Sequence, residues 1–136
     1  MYTVGPSTLP NAGEGLFALI DIEANTKLGE YTGRLLTPEQ YKRLPDNTYV
    51  FQVTLWKENR KMYIDGNDEN NVLRKMNGAK TRRQHMRVNC FTYQYKSRIY
   101  FKTLRPVYKG EELICTYGDT YWIGRTDRAD WTHTKN

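Results

Sequence analysis

Between Tyr49 and Leu55 the side chains alternate: Tyr49, Phe51, Val53 and Leu55 fall on one face of an extended segment, and Val50, Gln52 and Thr54 on the other. A two-residue period suits a strand with one buried face and cannot be laid on one side of a helix. Similar short candidates run over 16–20, 27–31, 62–65, 88–95, 99–104 and 112–117. Turn formers separate them at 21–25, at Pro45-Asp46-Asn47, at Asp65-Gly66-Asn67, at Lys96-Ser97 and at Lys109-Gly110. The expectation is a mostly β protein built from short strands.

Helix signals are few. Thr37-Pro38-Glu39-Gln40 has a capping threonine, a proline at the first helical position and a glutamine able to complete a capping box, and the helix must stop before Pro45. Short helices are also expected over 70–76, where Val72 and Met76 share a face, and around 119–124. At 136 residues and 38% hydrophobic content the chain has material for one core, so residues 1–136 are read as one domain, with 119–136 as a closing segment. No apolar run reaches the roughly 20 residues that span a bilayer, and the start lacks a signal-peptide layout; an intracellular protein without membrane contact is expected. Cys90 and Cys115 are too few for a disulfide framework or a cysteine zinc site, so no metal is expected. His85 and His133 stand without partners in polar segments expected to be exposed. The net charge of +6 is uneven, with residues 1–41 leaning acidic and most Lys and Arg after Arg60, which leaves a polyanion contact open.

Four segments draw attention: Gly13-Glu14-Gly15; Gly29-Glu30-Tyr31-Thr32-Gly33; Asp65 with residues 71–78, Asn-Val-Leu-Arg-Lys-Met-Asn-Gly; and residues 110–119, Gly-Glu-Glu-Leu-Ile-Cys-Thr-Tyr-Gly-Asp. Singly each is modest. In this order, along one small β-rich chain, they resemble the SET domain from end to end. The resemblance implies small sheets of short strands, a few short helices, and a knot-like crossing of the third and fourth segments near the C-terminus. It also implies a protein lysine methyltransferase that uses S-adenosylmethionine. One departure stands out: where most SET domains read Asn-His-Ser-Cys, this chain reads Asn77-Gly78-Ala79-Lys80, nearer to the PR subfamily and to small stand-alone viral SET proteins.

Carried over residue by residue, the resemblance puts the backbone of Glu14, Gly15 and Leu16 against the methionine part of the cofactor. Asn77 and Gly78 would meet its adenine and amino groups, and Tyr49 would lie beside it, at the start of the strand that pairs with a peptide substrate. Tyr117 would be the central catalytic hydroxyl and Tyr31 the opposite catalytic wall. Phe51, Phe101, Tyr121 and Trp122 would line the lysine channel, with Trp131 as a further closing residue. Aromatic walls suit this chemistry because they exclude water yet tolerate a cationic product through their π faces. Each residue also has a plain packing explanation: Tyr31, Tyr49 and Tyr117 as core or strand tyrosines, Trp122 and Trp131 as pins for a terminal helix. Phe91, Tyr93 and Tyr95 are assigned either to the core or to the substrate groove.

By family association the partner is a lysine-bearing peptide or protein, a histone tail, with a nuclear location. A homodimer completing the groove is a further expectation. Two other functions compete. One is a PR-like interaction module with little catalysis, favoured by the missing histidine. The other is a small basic β-barrel that stacks single-stranded nucleic acid on its aromatics, which the eleven tyrosines and the basic second half would fit.

Overall fold

The computed structural model describes residues 1–116. Strands β1 (Tyr2–Pro6) and β2 (Glu14–Ala18) form a hairpin, followed by β3 (Lys27–Glu30), β4 (Arg34–Leu36) and helix α1 (Pro38–Lys42). A second hairpin is β5 (Val50–Leu55) and β6 (Arg60–Asp65). A 3₁₀ turn (Val72–Lys75), the two-residue strand β7 (Asn77–Gly78) and helix α2 (Arg82–His85) lead to a third hairpin, β8 (Cys90–Tyr95) and β9 (Arg98–Thr103), and then to β10 (Glu112–Cys115). The larger sheet runs β1-β2-β10-β8-β9-β3, with β7 pairing β10; the smaller runs β4-β6-β5. Neither sheet closes, so the small-barrel alternative does not describe this fold.

The core lies where the two sheets meet. Leu16, Ile99, Phe101, Val107 and Leu113 are fully buried and pack with Tyr31, Phe51, Val53, Met62 and Leu73; each large apolar side chain so buried contributes about 1.5–3 kcal/mol. Alternation holds as expected in β5, where Phe51 and Val53 are buried and Gln52 is exposed.

β10 is buried at all four positions because it is inserted between neighbours on both sides. It pairs antiparallel with β2 and parallel with β7 and β8. Segment 71–78 and the Gly110–Thr116 segment therefore run side by side at the centre of the sheet. Buried Asn89 clasps β10: its amide donates to the Glu112 carbonyl at 2.9 Å and accepts from the Ile114 N–H at 2.8 Å.

Thr37 caps α1 with the full capping box, and Tyr41 stacks on Tyr63 to dock the helix on β6. The helix expected at 70–76 is a 3₁₀ turn, whose capping residue Asn71 makes no side-chain cap and instead donates to the Gly66 carbonyl at 3.0 Å. His85 is half-buried rather than exposed. No helix among the described residues is long and apolar enough to cross a membrane.

Candidate active site

A cleft of about 1100 Å³ opens where the start of β2, the β7 segment and β5 converge. Six of the residues singled out in the sequence line it: Glu14, Tyr31, Tyr49, Phe51, Asn77 and Gly78. They come from four separate regions of the chain, two of which β10 gathers by drawing β2 and β7 to its flanks.

At the cleft's inner end, three rings pack on one another. Tyr31 stacks on Phe101 with centroids 5.5 Å apart and meets the edge of Phe51 at 4.7 Å. Tyr31 and Phe51 reach the cleft; Phe101 stands behind them with no exposure, so it supports the wall and does not face the space. The Tyr31 hydroxyl donates to the Tyr49 carbonyl at 2.7 Å. Burial, then the Asp65 charge, pushes its pKa far above the ordinary tyrosine value, so the group stays a neutral donor at physiological pH. Gly66 passes across the same ring so closely that a Cβ there would overlap it.

At the other end, Asn77 donates to the Glu14 carbonyl at 2.8 Å and lies 3.4 Å from a Glu112 carboxylate oxygen. The Glu14 carboxylate pairs with Lys75 at 2.9 Å on the rim. Behind this edge, Gly15 and Leu16 are buried in the sheet and do not line the cleft. Gly15 lacks a side chain because a Cβ would overlap the Glu112 carboxylate, and Gly13 takes a φ of 69°, which favours glycine, to enter β2. Glycine in this motif thus serves the protein's own packing.

Glu112 ties the edge together. Its carboxylate accepts from the Ser7 hydroxyl at 2.7 Å, the Thr8 N–H at 2.8 Å and the Thr8 hydroxyl at 2.6 Å. Burial would raise its pKa, but these hydrogen bonds outweigh that and hold it below the usual glutamate range. Anchored in this way, the loop after β1 presents Leu9, Pro10, Asn11 and Ala12 to the cleft. Sequence reasoning missed that loop; its only signal was the Pro10-Asn11 turn, with Asn11 at a φ of 57°.

The third border is β5. Thr54 turns its N–H and carbonyl outward to the Gln94 side chain, and Tyr49 and Leu55 turn their carbonyls toward the β6 side. By alternation the backbone of Gln52 faces outward as Thr54 does, and Val50 and Gln52 line the cleft. Among the described residues no strand pairs with this edge, although the Val50 N–H is taken by the Asn47 carbonyl at 3.2 Å.

Cys90 is buried, and its thiol pKa is pushed up to about 12, so it is no nucleophile. Among the described residues no cluster could hold a metal ion. Phe91, Tyr93 and Tyr95 belong neither to the core nor to the cleft; they lie on the outer face of the larger sheet. Tyr117, Tyr121, Trp122, Trp131 and His133, with the helix expected at 119–124, lie outside the described residues.

Residues 2–126 match the family described as PR domain zinc finger protein 2, PR domain. The chain is 27% identical over 125 residues to histone-lysine N-methyltransferase set-17 of Caenorhabditis elegans, covering 89% of this chain and 42% of that protein. It is 30% identical over 121 residues to human histone-lysine N-methyltransferase PRDM7, covering 87% of this chain and 23% of that one. The methyltransferase domain of human PR domain-containing protein 2 superposes with a TM-score of 0.69 at 28% identity, covering 84% of this chain and 74% of that structure. The chain spans less than half the length of both curated relatives.

Proposed function

Because this chain belongs to the PR-domain family of SET-type folds, we propose that it transfers a methyl group from S-adenosylmethionine to the ε-amine of a lysine in a protein substrate, a histone tail in a nuclear setting. The carrying observation is the cleft that joins Glu14, Asn77 and Gly78 to the aromatic wall of Tyr31, Tyr49 and Phe51. The names of the curated relatives support the histone.

The cleft fits such a cofactor. Its volume suits a nucleoside carrying an amino acid, and its lining mixes apolar Leu9, Ala12 and Met76 with Asn77 and the Glu14–Lys75 ion pair, whose two charges complement a zwitterionic head. When bound, the cofactor supplies an electrophilic methyl on a sulfonium. Glu14, Asn77 and Gly78 would hold it on one side and Tyr49 on the other, with Gly15 and Leu16 keeping the Glu14 backbone in place from within the sheet.

A free lysine has a pKa near about 10.4 and is protonated at neutral pH. Tyr31 and Phe51, backed by Phe101, give an apolar wall that strips water from the amine and so favours its neutral, nucleophilic form. The Tyr31 hydroxyl, kept protonated, orients the wall through Tyr49 and takes no proton. Tyr117 is assigned the hydroxyl nearest the amine, with Tyr121 and Trp122 closing the channel. The outward backbone of β5 at Gln52, between the Val50 N–H held by Asn47 and the Thr54 rung held by Gln94, would pair with the extended peptide.

One observation favours a weaker enzyme that mainly binds partners: Gly78 stands where most SET domains have histidine. Transfer of labelled methyl from S-adenosylmethionine to core histones and tail peptides decides between the two. Label that appears on a peptide and vanishes when its lysine is arginine, or when Tyr117 is phenylalanine, establishes the transferase. Cofactor binding by calorimetry without transfer favours the binding module, and absence of both rejects the assignment of the cleft.

A further inference from the structure

The outer face of β3, β8 and β9 is laid out as a track of rings and cations. The inner face takes Cys90, Thr92, Ile99, Phe101 and Thr103 into the core. Strand alternation then sends Phe91, Tyr93, Tyr95, Arg98, Tyr100 and Lys102 outward, and the register sets Tyr93 opposite Tyr100 and Lys102 beside Lys27. Tyr93 and Tyr100 lie near-parallel with centroids 5.6 Å apart, and Phe91 follows at 6.1 Å from Tyr93. Lys27 sits 4.4 Å over the Tyr100 ring and Lys102 5.5 Å over Tyr93. At the hairpin tip, Lys96 spans Tyr95 and Trp56, at 5.6 and 4.9 Å, and Lys57 lies 5.2 Å from the Trp56 ring. Tyr95 is 60% exposed and Trp56 52%, although nothing in the fold requires large aromatics in water there.

We propose that this face binds single-stranded nucleic acid, stacking bases on the rings and meeting phosphates with the lysines that now lie over them. The charge is complementary: the three strands carry one acidic residue, Glu30, already paired with Arg98 at 3.3 Å, and the adjoining turn adds Glu58. Spacing also fits. From Phe91 to Tyr95 the strand covers about 13 Å, and the Trp56 corner extends the track, so it takes a few unpaired nucleotides. A duplex hides its base faces, so it cannot use the rings. An acidic peptide would satisfy the cations and leave the rings without a role. None of the track residues lines the cleft, so the surface is separate from the proposed catalytic site.

The test is fluorescence anisotropy of a labelled 12-nucleotide oligouridylate against the full chain without any methyl donor, over a salt series, with oligodeoxyuridylate of equal length to read the contribution of the sugar. Binding should weaken with salt, with a log–log slope of about −0.7 for each phosphate contacted. Tyr95→Ala should weaken it at least about fivefold, and so should Lys27→Glu with Lys96→Glu. These side chains are exposed or sit at a turn, so melting temperature and histone methylation should hold in the variants, which separates failure here from failure of the transferase reading. The proposal is overturned if no oligonucleotide binds at low salt, if the Tyr95 and lysine variants bind as the native chain does, if a 12-base-pair duplex binds equally tightly, or if oligoglutamate displaces the RNA as well as unlabelled RNA does.

Discussion

Gly66 has no side chain because Tyr31 occupies the space one would need. Gly66→Ala should therefore overpack the inner wall and destabilise the chain by about 1–3 kcal/mol, read as a shifted urea midpoint with an unchanged slope. Glu112 makes a prediction of opposite character. A carboxyl whose folded pKa is lowered stabilises the fold fully above its unfolded value of about 4.3, and that contribution fades as pH falls through the lower folded value. The gap in melting temperature between the native chain and Glu112→Gln should be widest near neutral pH and narrow as the solution is made acid. A gap that stayed constant down to strongly acid solution would show that the hydrogen-bond network does not depend on the charge. At this scale the sequence was a good guide to Tyr31, Tyr49, Asn77 and Glu14, which reach the cleft. It did not separate Gly15, Leu16 and Phe101, which stand behind the cleft, from the residues that line it, because spacing tells which residues gather and not which of them stands in front.

Among the elements, β5 is met on its outer edge by a side chain of β8 instead of by a paired backbone. The Gln94 side chain donates to the Thr54 carbonyl at 2.6 Å and accepts from its N–H at 3.0 Å, imitating one rung of a ladder. Gln94→Ala should leave stability nearly unchanged, since the bonds are exposed and worth about 1 kcal/mol or less each. Hydrogen exchange at Thr54 should accelerate while exchange at Val53 stays slow. Equal protection at Thr54 in both proteins would show that the amide rung is not formed. The strands from β5 to β6 and from β8 to β9 were legible from alternation and turn formers, and α1 from its capping box. β1 was missed because Tyr2–Pro6 carries glycine and proline and few apolar residues, and β4 because three residues make no period. α2 is instructive: Thr81-Arg82-Arg83-Gln84 repeats the threonine-to-glutamine spacing of α1, and Thr81 does accept from the Gln84 N–H. The signal was present and was obscured by the basic run around it.

For the whole molecule, the crossing at β10 decides whether the cleft exists. Asn89 holds that strand from the side, and Asn89→Ala would leave the Ile114 N–H and the Glu112 carbonyl buried without these partners. At about 1–3 kcal/mol for each unsatisfied group, the loss is a large fraction of an ordinary domain's stability. Cofactor binding and the thermal transition should fall together; a variant that melted early yet bound normally would uncouple the crossing from the cleft. The architecture followed from motif order, but the union of β2, β7 and β8 on one late strand is a long-range fact that no local pattern displays.

The same insertion sets a schedule for the protein's birth. β2, β7 and β8 leave the ribosome well before β10, yet they have no common neighbour until it arrives. The nascent chain must carry unpaired strand edges until β10 has itself emerged from the ribosome, and exposed edges at that stage invite aggregation or a chaperone. Competence for ligand should therefore appear abruptly late in translation rather than build up hairpin by hairpin.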